Sequence, residues 1–109
     1  MDRDKLYSME VEEQILGISI YETKCFIQVV ELKVKESDFY FDRNKILFNA
    51  IKTVFREKQT TDMLMITEYL KNNNMLDKVG GITRICELID GVITTSNIKA
   101  YVETLKEYS

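Results

Sequence analysis

Adjacent glycines, clustered carboxylates and scattered thiols are the residues of this chain that could do chemistry. Gly80-Gly81 stands before an apolar-periodic stretch, and a glycine step opening a helix can aim backbone N–H groups at a phosphate. A phosphate loop also needs a lysine and a hydroxyl straight after its last glycine. Here Ile82-Thr83-Arg84 follow and no strand pattern precedes, so the step reads as a joint between packed helices. Glu10, Glu12 and Glu13 offer metal-binding oxygens, but near-consecutive helical residues point in different directions. They read as a solvated first turn. Cys25 and Cys86 lie far apart with no CxxC spacing, and read as small apolar fillers in a reducing compartment. Histidine is absent, which removes the usual general base and the commonest metal ligand. No catalytic, cofactor-binding or metal-binding residues are assigned.

The totals narrow the function classes further. The chain has 109 residues, 45% hydrophobic and 30% charged, with a formal net charge of −3. That suits one globular domain over residues 1–109 and argues against disorder. A domain built to grip phosphates would carry a basic surplus. Lys33, Lys35, Arg43 and Lys45 are instead interleaved with Glu36, Asp38 and Asp42, and read as solvated faces. No nucleic-acid binding is expected. No apolar run approaches the ~20 residues of a membrane span, and the N-terminus leads into no signal-like stretch. A cytoplasmic protein is expected.

Helical periodicity runs through the chain. Ser8 can cap a first helix ending near Ile20, with Val11, Ile15 and Ile18 on one face. A second helix is expected from Thr23 through Val34, with Lys33 and Lys35 in its last turn. Ser37 to Phe41 reads as an aromatic connector. Asp42 then caps a long helix with Ile46, Leu47, Ala50, Ile51, Val54 and Phe55 repeating at three and four, which the spacing makes the central one. Thr61 and Asp62 cap a helix from Met63 to about Asn73, with Leu64, Ile66, Thr67 and Leu70 on or near its inner face. Gly81 to Gly91 brackets a short helix, and Ser96 or Asn97 starts the last. The sum is an all-α bundle of about six short helices.

Aromatic residues are mostly at core spacing. Tyr40, Phe41, Tyr101, Leu105 and Tyr108 are the candidate partner-binding residues, because exposed aromatics favour interfaces. The competing reading is a small helix-turn-helix DNA-binding regulator built on the Thr61–Asn74 segment and the helix after it. Such a regulator needs basic and amide side chains on an outward face, and the helix after Gly81 offers only Arg84. A small enzyme using paired carboxylates comes third, with no convergent pair to support it.

Read in order, the signposts resemble the N-terminal domain of DnaB-type replicative DNA helicases. Val11-Glu12-Glu13-Gln14-Ile15-Leu16-Gly17 is similar to that family's E-A-E-Q-x-[VL]-L-G opening, and Ser37-Asp38-Phe39-Tyr40 to its [DE]-D-F-Y. Ile46-Leu47-Phe48 sits where the family has [IL]-[IF]-F. Thr61 to Ile66 resembles P-[VI]-D-L-[IV]-T-[LV], Leu76 to Gly81 resembles L-x-x-[VI]-G-G, and Thr95 to Tyr101 resembles [ST]-x-A-N-[IV]-x-x-Y. The family's prolines near positions 61 and 94 are missing, and Phe41-Asp42-Arg43-Asn44 replaces its arginine and histidine. The resemblance implies a domain that pairs with itself and joins a collar of three dimers on a hexameric ring. It also implies contact with primase and, in some systems, a helicase loader. ATP and Mg are expected only in a C-terminal RecA-like ATPase domain, which this chain does not contain. On this reading the chain is an isolated head domain or a stand-alone protein of that shape.

Overall fold

Ile15, Leu16, Gly17, Ile18, Ser19 and Ile20 are buried one after another. A helix apolar on every side must be surrounded, and this one is. In the computed structural model, which describes residues 3–108, α1 (Arg3–Tyr21) packs against four other helices: α2 (Thr23–Glu31), α3 (Asp42–Lys58), α5 (Gly81–Asp90) and α6 (Ile98–Glu107). The centre of the bundle is therefore α1, not α3. The helix α4 (Met63–Asn72) packs on α3, and α6 also touches α2. Two short 3-10 turns, Glu36–Asp38 and Asp77–Val79, pack on α3 as well. The described residues contain six α-helices and no strand.

Phe26, Phe39 and Phe48 are the largest fully buried side chains. Their rings meet at centroid distances of 6.1 Å (Phe26–Phe48) and 4.9 Å (Phe39–Phe48), and Phe55 adds an edge contact to Phe26 at 5.4 Å. Offset and edge arrangements of this kind stabilise beyond their buried area. The aromatic connector is thus anchored by Phe39, which joins the core between α2 and α3.

Several helix ends differ from the expectation. The first helix begins at Arg3, so Ser8 lies inside it and is buried rather than capping it. Its hydroxyl turns along the helix toward Glu12, at 3.5 Å, a bond within reach for serine at i and i+4. The second helix stops at Glu31. Lys33 takes a left-handed conformation (φ 66°), and its N–H bonds to the carbonyl of Val30 at 2.9 Å. Lys33 and Lys35 therefore lie beyond the last turn. Asp42 is the first residue of α3, with Phe41 at the cap. Asp62 does cap α4, accepting from Leu64 N at 3.0 Å, and Asn74 supplies the left-handed turn after it (φ 58°). Leu64 is 67% exposed, not inward-facing.

Thr61 is buried and ties three segments together. Its hydroxyl donates to the carbonyl of Ser19 at 2.7 Å, and its N–H donates to Thr23 Oγ1 at 3.1 Å. The Thr61 hydroxyl has one proton, already given to Ser19, so the 3.0 Å contact between the two threonine oxygens is donated by Thr23.

Gly80 and Gly81 both have positive φ, 98° and 76°. A Cβ at Gly80 would come 2.6 Å from Arg84 Cδ, whereas one at Gly81 would meet nothing within 4 Å. Alanine at either site is expected to cost about 1–2 kcal/mol through left-handed strain. Gly80→Ala is expected to cost more than Gly81→Ala, because only the former displaces the Arg84 stem. Thermal unfolding of the two variants side by side checks the order.

Candidate functional site

The carboxylates at the start of the chain do not form a solvated first turn. Glu12 is 0% exposed. Burying a carboxylate is costly unless donors surround it, and here three do. Asn44 Nδ2 donates to Glu12 Oε1 at 2.8 Å, Tyr40 N donates to Oε2 at 2.7 Å, and the Ser8 hydroxyl reaches Oε2 at 3.5 Å. Asn44 in turn accepts from Arg84 Nη2 at 2.7 Å. Arg84 Nη1 donates to the carbonyl of Val79 at 3.2 Å, and Nη2 also reaches Glu13 Oε2 at 3.3 Å. One polar chain thus links α1, the aromatic connector, the start of α3, the Asp77–Val79 turn and α5. Burial pushes the Arg84 pKa down, with repulsion from Arg43 adding to it, and the Glu13 hydrogen bond opposes the shift. A glutamate inside α1, an asparagine just after the aromatic connector and a lone arginine after a glycine pair gave no periodic signal of this link. Only the fold brings them together.

The glycine step is part of that scaffold. Gly80 N–H donates to the carbonyl of Asp77 at 3.1 Å, and Gly81 N–H to that of Leu76 at 3.0 Å. Both donors are spent inside the turn, and neither points at an anion. Arg84 is 8% exposed, so the one basic residue of α5 faces inward. A recognition helix needs the opposite orientation, which removes the support for a helix-turn-helix reading.

A groove of about 460 Å³ runs beside this network, lined among others by Glu10, Glu13, Arg43, Arg84 and Glu87. Both of its arginines pair with one carboxylate: Arg43 lies 3.8 Å and Arg84 3.3 Å from Glu13. Among the described residues no three Cys, Asp or Glu side chains converge as a metal-ligand set. Both cysteines are free thiols. Burial, and then the nearby charge of Glu22, push the Cys25 pKa up, which leaves little thiolate for nucleophilic attack. No helix among the described residues is long and apolar enough to cross a membrane.

The candidate contact residues separate into two groups. Tyr40 is 53% exposed and Tyr108 is also exposed, and with Lys5 and Ser8 they line one apolar cavity of about 150 Å³. Tyr7, another exposed ring, meets Tyr108 edge-on at 6.3 Å, and Phe41 meets Tyr40 at 5.0 Å. The Lys5 ammonium stands 5.4 Å from the Tyr40 ring centroid, within cation–π range. Tyr101 is half-buried and packs against the core cluster. Leu105 is 1% exposed. It is a core residue on the inner face of α6 and has no surface to offer a partner. Lys5 and Tyr7 were not foreseen as members of the patch, because only the packing of α1 beside α6 brings them to Tyr108.

Known proteins are similar to this chain. The family model described as the DnaB-like helicase N terminal domain matches residues 4–107. The replicative DNA helicase DnaB of Geobacillus stearothermophilus is 28% identical over 102 residues, which are 94% of this chain and 22% of that protein. The replicative DNA helicase DnaC of Bacillus subtilis (strain 168) is 26% identical over 108 residues, 99% of this chain and 24% of that protein. The chain therefore spans less than a quarter of the length of these relatives. The crystal structure of the N-terminal domain of DnaB helicase from Mycobacterium tuberculosis superposes with a TM-score of 0.84 at 22% identity, covering 92% of this chain and 69% of that one, and so shares the fold. With a family match running over nearly every residue and the helical architecture in agreement, the chain belongs to the DnaB-like helicase N-terminal domain family.

Proposed function

We propose that this domain is an assembly and partner-docking unit of a replicative DNA helicase and hydrolyses nothing itself. It pairs with a second copy, contributes to a collar of three dimers on the ring, and presents a surface to primase and, in some systems, a helicase loader. ATP and Mg act in the RecA-like domain of the parent enzyme. One observation carries the reading. The exposed Tyr7 and Tyr108 rings meet edge-on, Tyr40 shares a small apolar cavity with Tyr108, and the Tyr40 backbone N–H is held by the buried Glu12 carboxylate. Rigid aromatic anchors of this kind dominate binding energy at protein interfaces.

Sedimentation equilibrium over a concentration series tests it. Self-association is expected, and it is expected to tighten in a longer chain carrying the helical hairpin that the resemblance to the helicase family implies after this domain. Tyr40→Ala should weaken association by about tenfold, the effect of losing roughly 1.4 kcal/mol at an anchor. Strictly monomeric behaviour of both lengths would refute the assembly role.

A further inference from the structure

The last turn of α6 is tied to the connector that carries Tyr40. We infer that Lys106 is a positioning residue for the tyrosine surface, an ionic latch that sets Tyr108 against Tyr40 for docking. The inference rests on the assembly reading above and gives that surface a control point outside its own rings.

The latch joins three segments. The Lys106 ammonium donates to the carbonyl of Lys33 at 2.9 Å and to Asp38 Oδ2 at 3.3 Å. Lys33 is left-handed and lies just past the end of α2, where carbonyls lack helical partners and favour a cation. Asp38 Oδ2 also accepts from Lys35 N at 2.8 Å. One carboxylate therefore closes the Glu36–Asp38 turn and holds the end of α6. The Asp38 side chain is only 14% exposed, so this end of the pair is screened by salt less than an exposed one.

Register places the latch beside the docking surface. Tyr40 lies two residues after Asp38, and Tyr108 two residues after Lys106. Those two rings line the same apolar cavity. The fold has other supports at both ends. Leu105 and Phe39 are buried in the core, and Asp38 keeps its bond to Lys35 N whether or not Lys106 is present. Apolar burial is non-directional, whereas a hydrogen-bonded ammonium fixes distance and angle. Loss of the latch should therefore spare the fold and change where Tyr108 stands relative to Tyr40.

Lys106→Gln removes the charge, and Lys106→Arg keeps it. Sedimentation equilibrium, urea unfolding and amide hydrogen exchange of the whole chain compare both with the parent. Lys106→Gln is expected to weaken self-association about fivefold, the upper end of what a partly exposed ion pair can transmit. Its unfolding midpoint should stay close to the parent's, and exchange should quicken at Lys35 and Tyr40 but not within α3. Lys106→Arg should associate like the parent. Unchanged association and exchange in Lys106→Gln overturns the inference. So does exchange that rises equally in α3, which marks a general loss of stability, and so does an arginine variant as weak as the glutamine one. If Tyr40→Ala weakens association and Lys106→Gln does not, the latch falls and the assembly reading stands. If the protein is strictly monomeric, the assembly reading falls. Exchange at Tyr40 then decides the latch, faster in Lys106→Gln if it holds the connector and unchanged if it does not.

Discussion

Glu12→Ala is expected to lower the unfolding free energy by about 3–5 kcal/mol, the range for removing one side of a buried charged network. The total stability of a domain this size is only about 5–15 kcal/mol, so the variant should sit near the edge of folding. The reason is local. Asn44 Nδ2 loses its acceptor at 2.8 Å in a buried site, and Tyr40 N loses its acceptor at 2.7 Å in a partly buried one. Arg84 keeps its charge and its bond to Asn44 but loses the nearby Glu12 carboxylate that offsets it. Glu12→Gln keeps the shape and one acceptor but sets an amide donor against the remaining N–H. It should fall between the parent and the alanine variant, at about 1–3 kcal/mol. Urea unfolding with an unchanged denaturant slope measures both. A Glu12→Ala variant within about 1 kcal/mol of the parent would show that the network adds little to the fold. The same substitution should also loosen Tyr40, so any association that survives unfolding stress should be weaker than in the parent.

Gly17→Ala provides the second large effect, and its sign decides the matter. Helix propensity alone predicts that alanine stabilises a helix interior by roughly 1 kcal/mol over glycine. Packing predicts the reverse. A Cβ at Gly17 would lie 2.3 Å from the carbonyl oxygen of Leu88 and 3.1 Å from Val92 Cγ2. The first of these is backbone, which cannot rotate out of the way, so α5 would have to move off α1. That movement strains the Gln14 bridge, whose Nε2 donates to the carbonyl of Gly91 at 2.7 Å and whose Oε1 accepts from Ile93 N at 3.2 Å. A loss of about 3 kcal/mol is expected, the upper part of the range for overpacking. Chemical denaturation checks it, and a more stable Gly17→Ala protein would show that the α1–α5 crossing is looser than described.

These two residues also mark how much was legible in the chain. Helix periodicity placed α3, α4 and α5 almost to the residue, with Asp62 marking the start of α4 and Gly80-Gly81 the start of α5. All of these signals are local: a cap bonds within its own turn, and a left-handed residue needs only its own φ. The family resemblance was legible because its motifs fall mostly on such local features. Where the outcome depended on distant neighbours, the reading failed. Ser8 has the chemistry of a cap and sits inside a helix. Leu64 has the chemistry of a core residue and lies exposed. Leu105 was grouped with contact residues and is buried among α6's inward side chains.

What the sequence determined by itself was the material: six apolar-striped segments, the residues that stop them, and the absence of histidine, which the fold could not change. The tertiary structure alone decided which helix became the centre, that Glu12 would be buried under Tyr40, and which tyrosines would meet at the surface. The physical reason is range. Capping and periodicity act within a turn or two of the chain, whereas burial of a charge and convergence of aromatic rings depend on surfaces contributed by segments dozens of residues apart, as with Glu12 and Asn44, separated by 32 positions.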